Sequence, residues 1–290
     1  MENKKASKLS IIIVSYNSSN LLEECLDSIL KYPPCGQNYG IIVVDNNSTD
    51  GSQELVRKKY PGVELIANTS NVGFAAANNM AIKSTDSDFI LLLNSDCRVY
   101  ENSLDRMLGF IESVTEAAVV GPKIINSDGS IQYSCRKFPS IIDAGLHSIL
   151  VNIAPDNPVS RKYKLADISR EKPFEVDWVS GSCMLVRRQA LLHTGFMDEN
   201  YFMYVEDVDL CFQMWKKNWK VFYYPHAEIL HHVGGSTNVG KVQTSVRMQK
   251  SIFYFFWKNY RKSWKILLIP ILVVVLGLRI FLTFIKNFFK

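Results

Sequence analysis

The chain has 290 residues, of which 47% are hydrophobic and 21% are charged. This balance excludes an intrinsically disordered chain and fits one large domain, with or without an extension. Residues 241–290 carry ten of the 33 Lys and Arg residues and none of the 28 Asp and Glu residues, so residues 1–240 carry a net charge of −5. The basic last fifty residues therefore predict a surface-binding tail on an ordinary domain.

Strand and helix patterns alternate along residues 9–100. The predicted strands cover residues 9–15, 40–44, 63–67 and 89–93, and the predicted helices cover residues 21–30, 48–60 and 75–83. This alternation predicts an α/β fold with a mostly parallel, doubly wound sheet and right-handed crossovers. Ligands of such sheets bind beyond the carboxyl ends of the strands, where Asn17, Asp45 and Asp96 lie.

The second half has a less regular pattern. It predicts short strands and loops over residues 121–140, a strand pair over 176–186, a helix over 205–217 and a strand over 221–224. The polar, proline-containing residues 141–175 predict a flexible or acceptor-facing segment.

The cysteines and the N-terminus indicate a reducing compartment. None of the six cysteines forms a Cys-x-x-Cys pair, which disfavours a zinc site or a disulfide framework and predicts free, mostly buried thiols. The apolar run at residues 9–14 is too short for a signal-peptide core. We therefore expect the protein in the cytoplasm or on the cytoplasmic face of a membrane.

Asn94, Ser95 and Asp96 follow the apolar fourth strand. Two oxygen-bearing side chains separated by one residue point the same way in an extended segment, and they can bind a hard divalent cation. Such a cation would neutralise a diphosphate and stabilise its charge as it leaves. The alternative is an ordinary turn, which all three residue types favour.

Polar residues also close the first two strands. Asp45 can accept a hydrogen bond from a uracil or thymine N–H group or from a ribose hydroxyl. Asp50 is expected to cap the following helix. Ser15 and Asn17 close the first strand in the same way.

Glu206 and Asp207 belong to a dense carboxylate cluster over residues 204–210. Neighbouring like charges raise one pKa and can produce a general base. A negatively charged helix N-terminus, which the helix dipole favours, is the alternative.

Two further features carry a possible function. His231, close to two glycines, fits a metal or phosphate contact, although a lone histidine is more often an ordinary surface residue. Trp178 and Gly181 belong to a small-residue turn that is expected to line a pocket, and this turn lacks the spacing of a nucleophile elbow.

In this order the features resemble the inverting family 2 glycosyltransferases, which have the A-type nucleotide-binding fold, and especially their bacterial rhamnosyltransferase-like members. The matching strings are residues 12–17, 43–51, 71–75, 92–96, 178–181 and 202–210. The resemblance runs from about residue 9 to residue 236 and is specific for the family but not for the sugar.

The resemblance implies a site for a nucleotide-diphosphate sugar, with Asp45 contacting the base or the ribose. The implied contacts are Ser15, Asn17, Asp45, Asn71, Gly73, Asn94, Ser95, Asp96, Trp178 and Gly181.

It also implies a metal and a base. Asp96, Asn94 and His231 would hold Mn²⁺ or Mg²⁺, and Asp207, beside Glu206, would deprotonate the acceptor hydroxyl. Direct in-line displacement would then invert the anomeric centre.

Three positions depart from the family pattern. Asn94 stands where the metal motif begins with Asp, which weakens one ligand. Gln213 replaces a frequent Arg, so the role of that position is in doubt. Asn218 replaces a frequent Gly, and Asn tolerates the left-handed conformation that such a turn needs.

The resemblance implies a catalytic domain over residues 1–240. Its nucleotide-binding half would be residues 9–100 and its acceptor half residues 101–240. The implied reaction moves a sugar, with L-rhamnose as one candidate, from a dTDP- or UDP-sugar to a cell-surface glycan or a lipid-linked acceptor. A non-catalytic membrane-attached binding module and a sugar nucleotidyltransferase are the alternatives. The latter is disfavoured because residues 14–20 lack the Gly and Lys of a phosphate loop.

Residues 241–290 are predicted to attach to a membrane. Residues 266–285 are just long enough to span one, but Arg279 interrupts them. Aromatic and basic residues precede them over 254–265, as at a cytoplasmic membrane interface. Spanning, lying flat, and packing as an apolar helix on the domain or on a second copy all stay open. Nucleic acid is not an expected partner, because the basic residues alternate with long apolar runs.

Overall fold

A computed structural model describes residues 7–141, 157–232 and 240–288. The first elements, in chain order, are β1 (Leu9–Ser15), α1 (Ser19–Lys31), β2 (Tyr39–Asp45), α2 (Ser52–Lys59), β3 (Glu64–Ala67), α3 (Phe74–Ser84) and β4 (Phe89–Asn94). Every strand and helix predicted over residues 9–93 is therefore present, with ends shifted by a few residues.

The second half contains shorter strands. Its elements are β5 (Cys97–Val99), α4 (Ser103–Ser113), β6 (Ala117–Ile125), β7 (Ile131–Gln132), β8 (Cys135–Arg136), α5 (Pro158–Tyr163), β9 (Phe174–Val176), β10 (Trp178–Val179), β11 (Cys183–Arg187), α6 (Arg188–Thr194), α7 (Glu206–Lys216) and β12 (Lys220–His231). The C-terminal part contains α8 (Lys241–Tyr260), a 3₁₀ helix (Trp264–Leu268) and α9 (Ile269–Phe288). The predicted segment 141–175 lies outside the described residues over 142–156, and the end of the resemblance lies outside them over 233–239.

The main sheet has the strand order β3-β2-β1-β4-β11-β6-β12-β5. Strands β1 to β4 are parallel, which confirms the doubly wound prediction for this half. Beyond β4 the sheet is mixed, because β11 is antiparallel to both β4 and β6, whereas β12 is parallel to β6. The segment 176–186 does contain two strands, β10 and β11, but they do not pair with each other: β10 pairs with β8, and β11 lies in the main sheet.

The sheet separates two hydrophobic layers. Ile12 and Leu92 face the layer that contains α3, α7 and α8, whereas Ile11 and Leu91 face the layer that contains α1 and α4. Burying each such side chain contributes about 1.5–3 kcal/mol. Because both faces are covered, the strands are apolar throughout and only their ends carry polar side chains.

The predicted tail is not uniform. Its first helix, α8, buries Phe255 and Phe256 in the core layer. Lys258 forms ion pairs with Asp198 at 2.7 Å and with Asp209 at 2.6 Å. The division at residue 240 stays a prediction, but α8 packs as part of the body.

Two smaller sequence predictions concern backbone and thiols. Asn218 has a φ of +63°, so it adopts the left-handed conformation expected of it. All six cysteines are free, and all except Cys35 are buried.

Candidate active site

A cavity of about 1070 Å³ opens where β1 and β4 end. Eleven of the thirteen predicted site residues line it: Asn17, Asn71, Gly73, Asn94, Ser95, Asp96, Trp178, Gly181, Glu206, Asp207 and His231. Side chains from distant parts of the sequence thus meet at one edge of the sheet, as the strand order requires.

Ser15 and Asp45 are fully buried and do not line the cavity. The register places them opposite each other on β1 and β2, at the ends of both strands. The Ser15 hydroxyl lies 3.1 Å from that of Ser18, which lies 2.9 Å from that of Ser95. Ser15 therefore supports Ser95, which lines the cavity, through this chain of hydroxyl groups.

Only one of the two carboxylate oxygens of Asp45 accepts hydrogen bonds in the structure. Its Oδ1 accepts hydrogen bonds from the Ser48 amide at 2.9 Å and from Gln53 Nε2 at 2.7 Å. Its Oδ2 is buried and has no hydrogen-bond partner in the structure. A buried oxygen without a partner is costly, and an N–H or O–H group of a ligand would satisfy it. The contact of Asp45 with a base or ribose stays a prediction.

Gly73 allows the 71–74 loop to approach the loop before α7. Its φ is +88°, and the Phe74 amide donates to the Phe202 carbonyl at 2.8 Å. A Cβ atom at position 73 would lie 2.5 Å from that carbonyl oxygen. Only glycine meets both requirements, because other residues rarely adopt this conformation and none has room for its side chain.

Replacing Gly73 with Ala is expected to destabilise the protein by about 2–3 kcal/mol, through backbone strain and a clash with Phe202. The measurement is the free energy of unfolding in urea. Gly62→Ala is the matched control, since a Cβ atom there meets nothing within 4 Å and the backbone is not left-handed. Equal effects of the two substitutions would contradict this role of Gly73.

Asp96 and His231 form the candidate metal centre. The His231 Nε2 atom lies 3.2 Å from Asp96 Oδ1, and the His231 Nδ1 atom lies 3.0 Å from Gln132 Oε1. Because the amide oxygen of Gln132 can only accept, Nδ1 carries a proton, and Nε2 is the nitrogen that faces Asp96 and would bind a cation. A carboxylate and a neutral imidazole are suitable ligands for Mn²⁺ or Mg²⁺. The donor set therefore fits the predicted cation, whereas Asn94 as a ligand stays a prediction.

Cys97 lies beside this pair, and its sulfur atom is within 4.8 Å of the ligand atoms of Asp96 and His231. Its thiol donates to the Ser182 carbonyl at 3.3 Å. Burial, followed by the charge of Asp96, raises the pKa of Cys97 well above its ordinary value. Mn²⁺ and Mg²⁺ prefer oxygen and nitrogen ligands to thiols, so we expect Cys97 to pack against the centre without joining it.

Asp207 is held at the start of α7 by backbone amides. Its Oδ2 accepts from the Gly181 amide at 2.9 Å, and its Oδ1 accepts from the Val208 amide at 2.8 Å. Burial raises the pKa of Asp207, and these two hydrogen bonds and the charge of Arg136 oppose the rise. The result is an oriented carboxylate that is a stronger base than an exposed one.

Glu206 differs from Asp207 in its surroundings. Its carboxyl group is buried, and burial followed by the charge of Asp207 raises its pKa well above the ordinary value. Glu206 therefore holds its proton more firmly than Asp207, whose carboxylate is stabilised by two backbone amides. This difference favours Asp207 as the base.

The loop before α7 is strained. Tyr204 and Val205 have φ values of +73° and +72°, which is unusual for a β-branched residue such as Val205. Nearby contacts hold the loop: Ser251 of α8 donates to the Met203 carbonyl at 3.0 Å. Such strain concentrates at functional sites, and here it directs the first turn of α7 into the cavity.

Three arginines that were not predicted as site residues also line the cavity: Arg136, Arg247 and Arg279. They lie on β8, α8 and α9, so no local motif unites them. The one sequence signal was the interruption of an apolar segment by Arg279.

Residues 10–195 match the family model described as glycosyl transferase family 2. The N-acetylglucosaminyl-diphospho-decaprenol L-rhamnosyltransferase of Mycobacterium tuberculosis (strain ATCC 25618 / H37Rv) is 32% identical over 269 residues, 89% of this chain and 86% of the relative. Rhamnosyltransferase WbbL of Escherichia coli (strain K12) is 29% identical over 230 residues, 77% of this chain and 82% of the relative.

Two solved structures share the fold. GalNAc-T7 with UDP, GalNAc and Mn²⁺ has a TM-score of 0.62 at 15% identity, over 89% of this chain and 50% of the other chain. The mannosyltransferase PcManGT from Pyrobaculum calidifontis, in complex with GDP-Man and Mn²⁺, has a TM-score of 0.61 at 17% identity, over 95% of this chain and 74% of the other. The present chain thus spans half of the first structure, and the likeness shows the A-type glycosyltransferase fold alone.

Proposed function

The chain belongs to glycosyl transferase family 2, and we propose that it transfers L-rhamnose from a nucleotide-diphosphate donor to a lipid-linked glycan acceptor with inversion at the anomeric carbon. The observation that carries the proposal is the meeting of the Asp96–His231 pair and the Asp207 carboxylate in one cavity. The names of two relatives support the sugar and the lipid-linked acceptor.

The donor would lie along the ends of β1, β2 and β4. Asn17 and Asn71 line the cavity, and Asp45 lies buried behind its wall, so an N–H group of the base or a ribose hydroxyl would reach the Oδ2 atom of Asp45 only after a local rearrangement. Asp96 and His231 would hold Mn²⁺ or Mg²⁺, which when bound stabilises the negative charge of the departing diphosphate.

Asp207 would act on the acceptor. Its carboxylate takes the proton of the acceptor hydroxyl, and the hydroxyl oxygen forms a bond to the anomeric carbon as the carbon–oxygen bond to the diphosphate breaks. Attack on the face opposite the leaving group inverts the centre. Gly181 and Val208 keep the carboxylate in place through their amides.

Membrane attachment through α9 is part of the proposal, with the cytoplasmic face as its side. Residues Trp264–Ile285 are long and apolar enough to cross a membrane by length and composition. One stripe of this segment is apolar and exposed: Leu267, Ile271, Val274, Leu278 and Phe281. A continuous apolar stripe on a helix surface is typical of a membrane-binding face.

Replacing Leu267, Ile271 and Val274 together with Gln is expected to abolish binding to phosphatidylglycerol-containing vesicles. The three side chains are between 61% and 76% exposed, and burying each in lipid contributes about 1.5–3 kcal/mol. Flotation with vesicles measures the binding, and the melting temperature should not change. Leu192→Gln on α6 is the control, since Leu192 is 62% exposed but lies outside the stripe. Undiminished flotation of the triple variant would refute a membrane-binding face.

The transferase activity is tested with a panel of nucleotide sugars, with and without Mn²⁺, by thermal shift and by turnover with a lipid-linked N-acetylglucosamine acceptor. We expect dTDP-rhamnose to raise the melting temperature only with Mn²⁺ and to be consumed with the acceptor present. Binding without turnover would favour a binding module. Release of pyrophosphate from a nucleoside triphosphate and a sugar phosphate would favour a nucleotidyltransferase.

A further inference from the structure

The cavity is lined by positively charged arginines as well as by the carboxyl groups of Glu206 and Asp207. We propose that Arg136, Arg247 and Arg279 form a subsite for the phosphate groups of the lipid-linked acceptor, which rests on the proposed function. The three guanidinium groups come from β8, α8 and α9 and line the same cavity.

In the described part of the chain, these three arginines form no ion pair with a carboxylate, unlike two arginines elsewhere on the body, and Arg136 donates from Nε to the Tyr133 carbonyl at 3.3 Å. Arg98 pairs with Glu24, and Arg188 pairs with Asp86 at 3.1 Å. Among the residues that the structure describes, none of the three cavity arginines has a carboxylate within ion-pair distance, although each is half-buried. Half-burying Arg247 and Arg279 without an ion-pair partner is unfavourable, and an anionic ligand would offset this cost, whereas the charge of Arg136 already acts on the carboxylate of Asp207.

Aromatic rings orient two of the guanidinium groups. That of Arg136 lies 5.3 Å from the ring centre of Trp178 and 5.5 Å from that of Tyr163. That of Arg247 lies 4.8 Å from the ring centre of Phe202. A guanidinium that stacks on a ring still has N–H groups at its edge. Arg136 uses its Nε–H group for the Tyr133 carbonyl at 3.3 Å, and the remaining N–H groups can donate to phosphate oxygens.

The position of Arg279 points to the acceptor rather than the donor. On α9, Leu272 and Leu276 are buried against the body, and Thr283 lies 3.4 Å from Ser245 of α8. Arg279 continues this inner stripe at helical spacing and reaches the cavity. The opposite side of the same helix carries the exposed apolar stripe. The lipid-facing surface and Arg279 are therefore separated by about one helix diameter, about 10 Å.

A lipid-linked acceptor fits this arrangement. Its hydrocarbon chain belongs in the membrane and its sugar hydroxyl belongs at Asp207, so its phosphates must lie between them. Arg136 is close enough to the base for its charge to lower the pKa of Asp207. The donor diphosphate, by contrast, would be bound through the cation that Asp96 and His231 hold. It follows that α9 lies along the membrane surface, because crossing it would place the inner stripe and Arg279 in hydrocarbon.

The test is binding of farnesyl diphosphate, a short polyprenyl diphosphate, measured by calorimetry in EDTA. Because EDTA removes divalent cations, the measured affinity reflects binding of the diphosphate by the arginines and not by a metal ion. The measurement also requires no turnover. We expect Arg279→Gln and Arg247→Gln each to weaken binding about tenfold or more, as when one charge-assisted hydrogen bond is lost. Arg279→Lys should retain part of the affinity. Arg261→Gln, an exposed arginine of the same basic tail outside the cavity, should bind as the parent protein does.

Three outcomes would overturn the subsite. Arg279→Gln could bind farnesyl diphosphate with unchanged affinity. Farnesol could bind as tightly as farnesyl diphosphate to the parent protein, which would show that only the chain is recognised. UDP in EDTA could displace farnesyl diphosphate competitively, which would assign the arginines to the donor. Failure of the proposed function would appear elsewhere, as absent turnover by a parent protein that still binds the diphosphate through Arg279.

Discussion

Replacing Asp207 with Asn is expected to lower kcat for sugar transfer by about 10²–10⁴-fold, the usual contribution of a general base. The amide keeps the shape of the carboxylate and an oxygen for the Gly181 or Val208 amide, but it cannot take the acceptor proton. Donor binding uses other residues, so the donor KM should change little. Steady-state kinetics with saturating Mn²⁺ measure both quantities.

Glu206→Gln is the matched control for this substitution. Burial and the neighbouring charge of Asp207 raise the pKa of Glu206 well above its ordinary value, which favours the protonated form, and Gln resembles a protonated Glu. We expect a loss of less than about tenfold in kcat. A large loss with Glu206→Gln and a small one with Asp207→Asn would assign the base to Glu206 instead.

The pH profile gives a second measurement of the same base. Asp207 can accept a proton only when its carboxyl group is ionised. We therefore expect kcat/KM to be constant and maximal above the pKa of Asp207 and to fall as the pH drops through this pKa. Because burial raises this pKa, the acid limb should lie above the ordinary range of an aspartic acid. The limb should be absent in Asp207→Asn. A limb that persists in that variant would belong to another group.

The parallel half of the fold follows from local pattern. A strand buried on both faces reads as a continuous apolar run, so β1 and β4 are recognisable without tertiary information. Their polar ends then identify Asn17 and Asp96, since the carboxyl ends of parallel strands meet at one edge. The register that places Ser15 and Asp45 side by side follows from the same pattern.

The second half depends on pairings that local pattern does not encode. β11 enters between β4 and β6 with reversed direction, and its sequence does not specify either neighbour. The 12-residue β12 was predicted over residues 221–224 only, although its full length is what delivers His231 to Asp96. Gln132 and Arg279 reach the site from distant segments, so the proton position on His231 and the cationic lining emerge only in three dimensions.

Replacing Asp96 with Ala is expected to weaken Mn²⁺ binding by at least about 10²-fold and to lower kcat by a similar factor, because the centre loses the carboxylate ligand that the described residues bring to it. His231→Ala should have a comparable effect on the Kd. Gln132→Ala should weaken binding by about tenfold, because Gln132 fixes which nitrogen of His231 faces the ion. Electron paramagnetic resonance of free Mn²⁺ gives the affinities without any turnover.

Two controls separate coordination from packing at this centre. His232 is the next residue, but its Nδ1 atom lies 2.8 Å from the Ser127 hydroxyl and its side chain does not line the cavity, so His232→Ala should leave the Kd for Mn²⁺ unchanged. Cys97→Ala removes a thiol whose sulfur lies beside the pair, but Mn²⁺ prefers oxygen and nitrogen ligands to thiols, so the Kd should again be unchanged. A weaker Kd in Cys97→Ala would make sulfur a ligand and favour a softer ion such as zinc. Equal losses in His231→Ala and His232→Ala would mean that the backbone at the end of β12, rather than one imidazole, supports the ion.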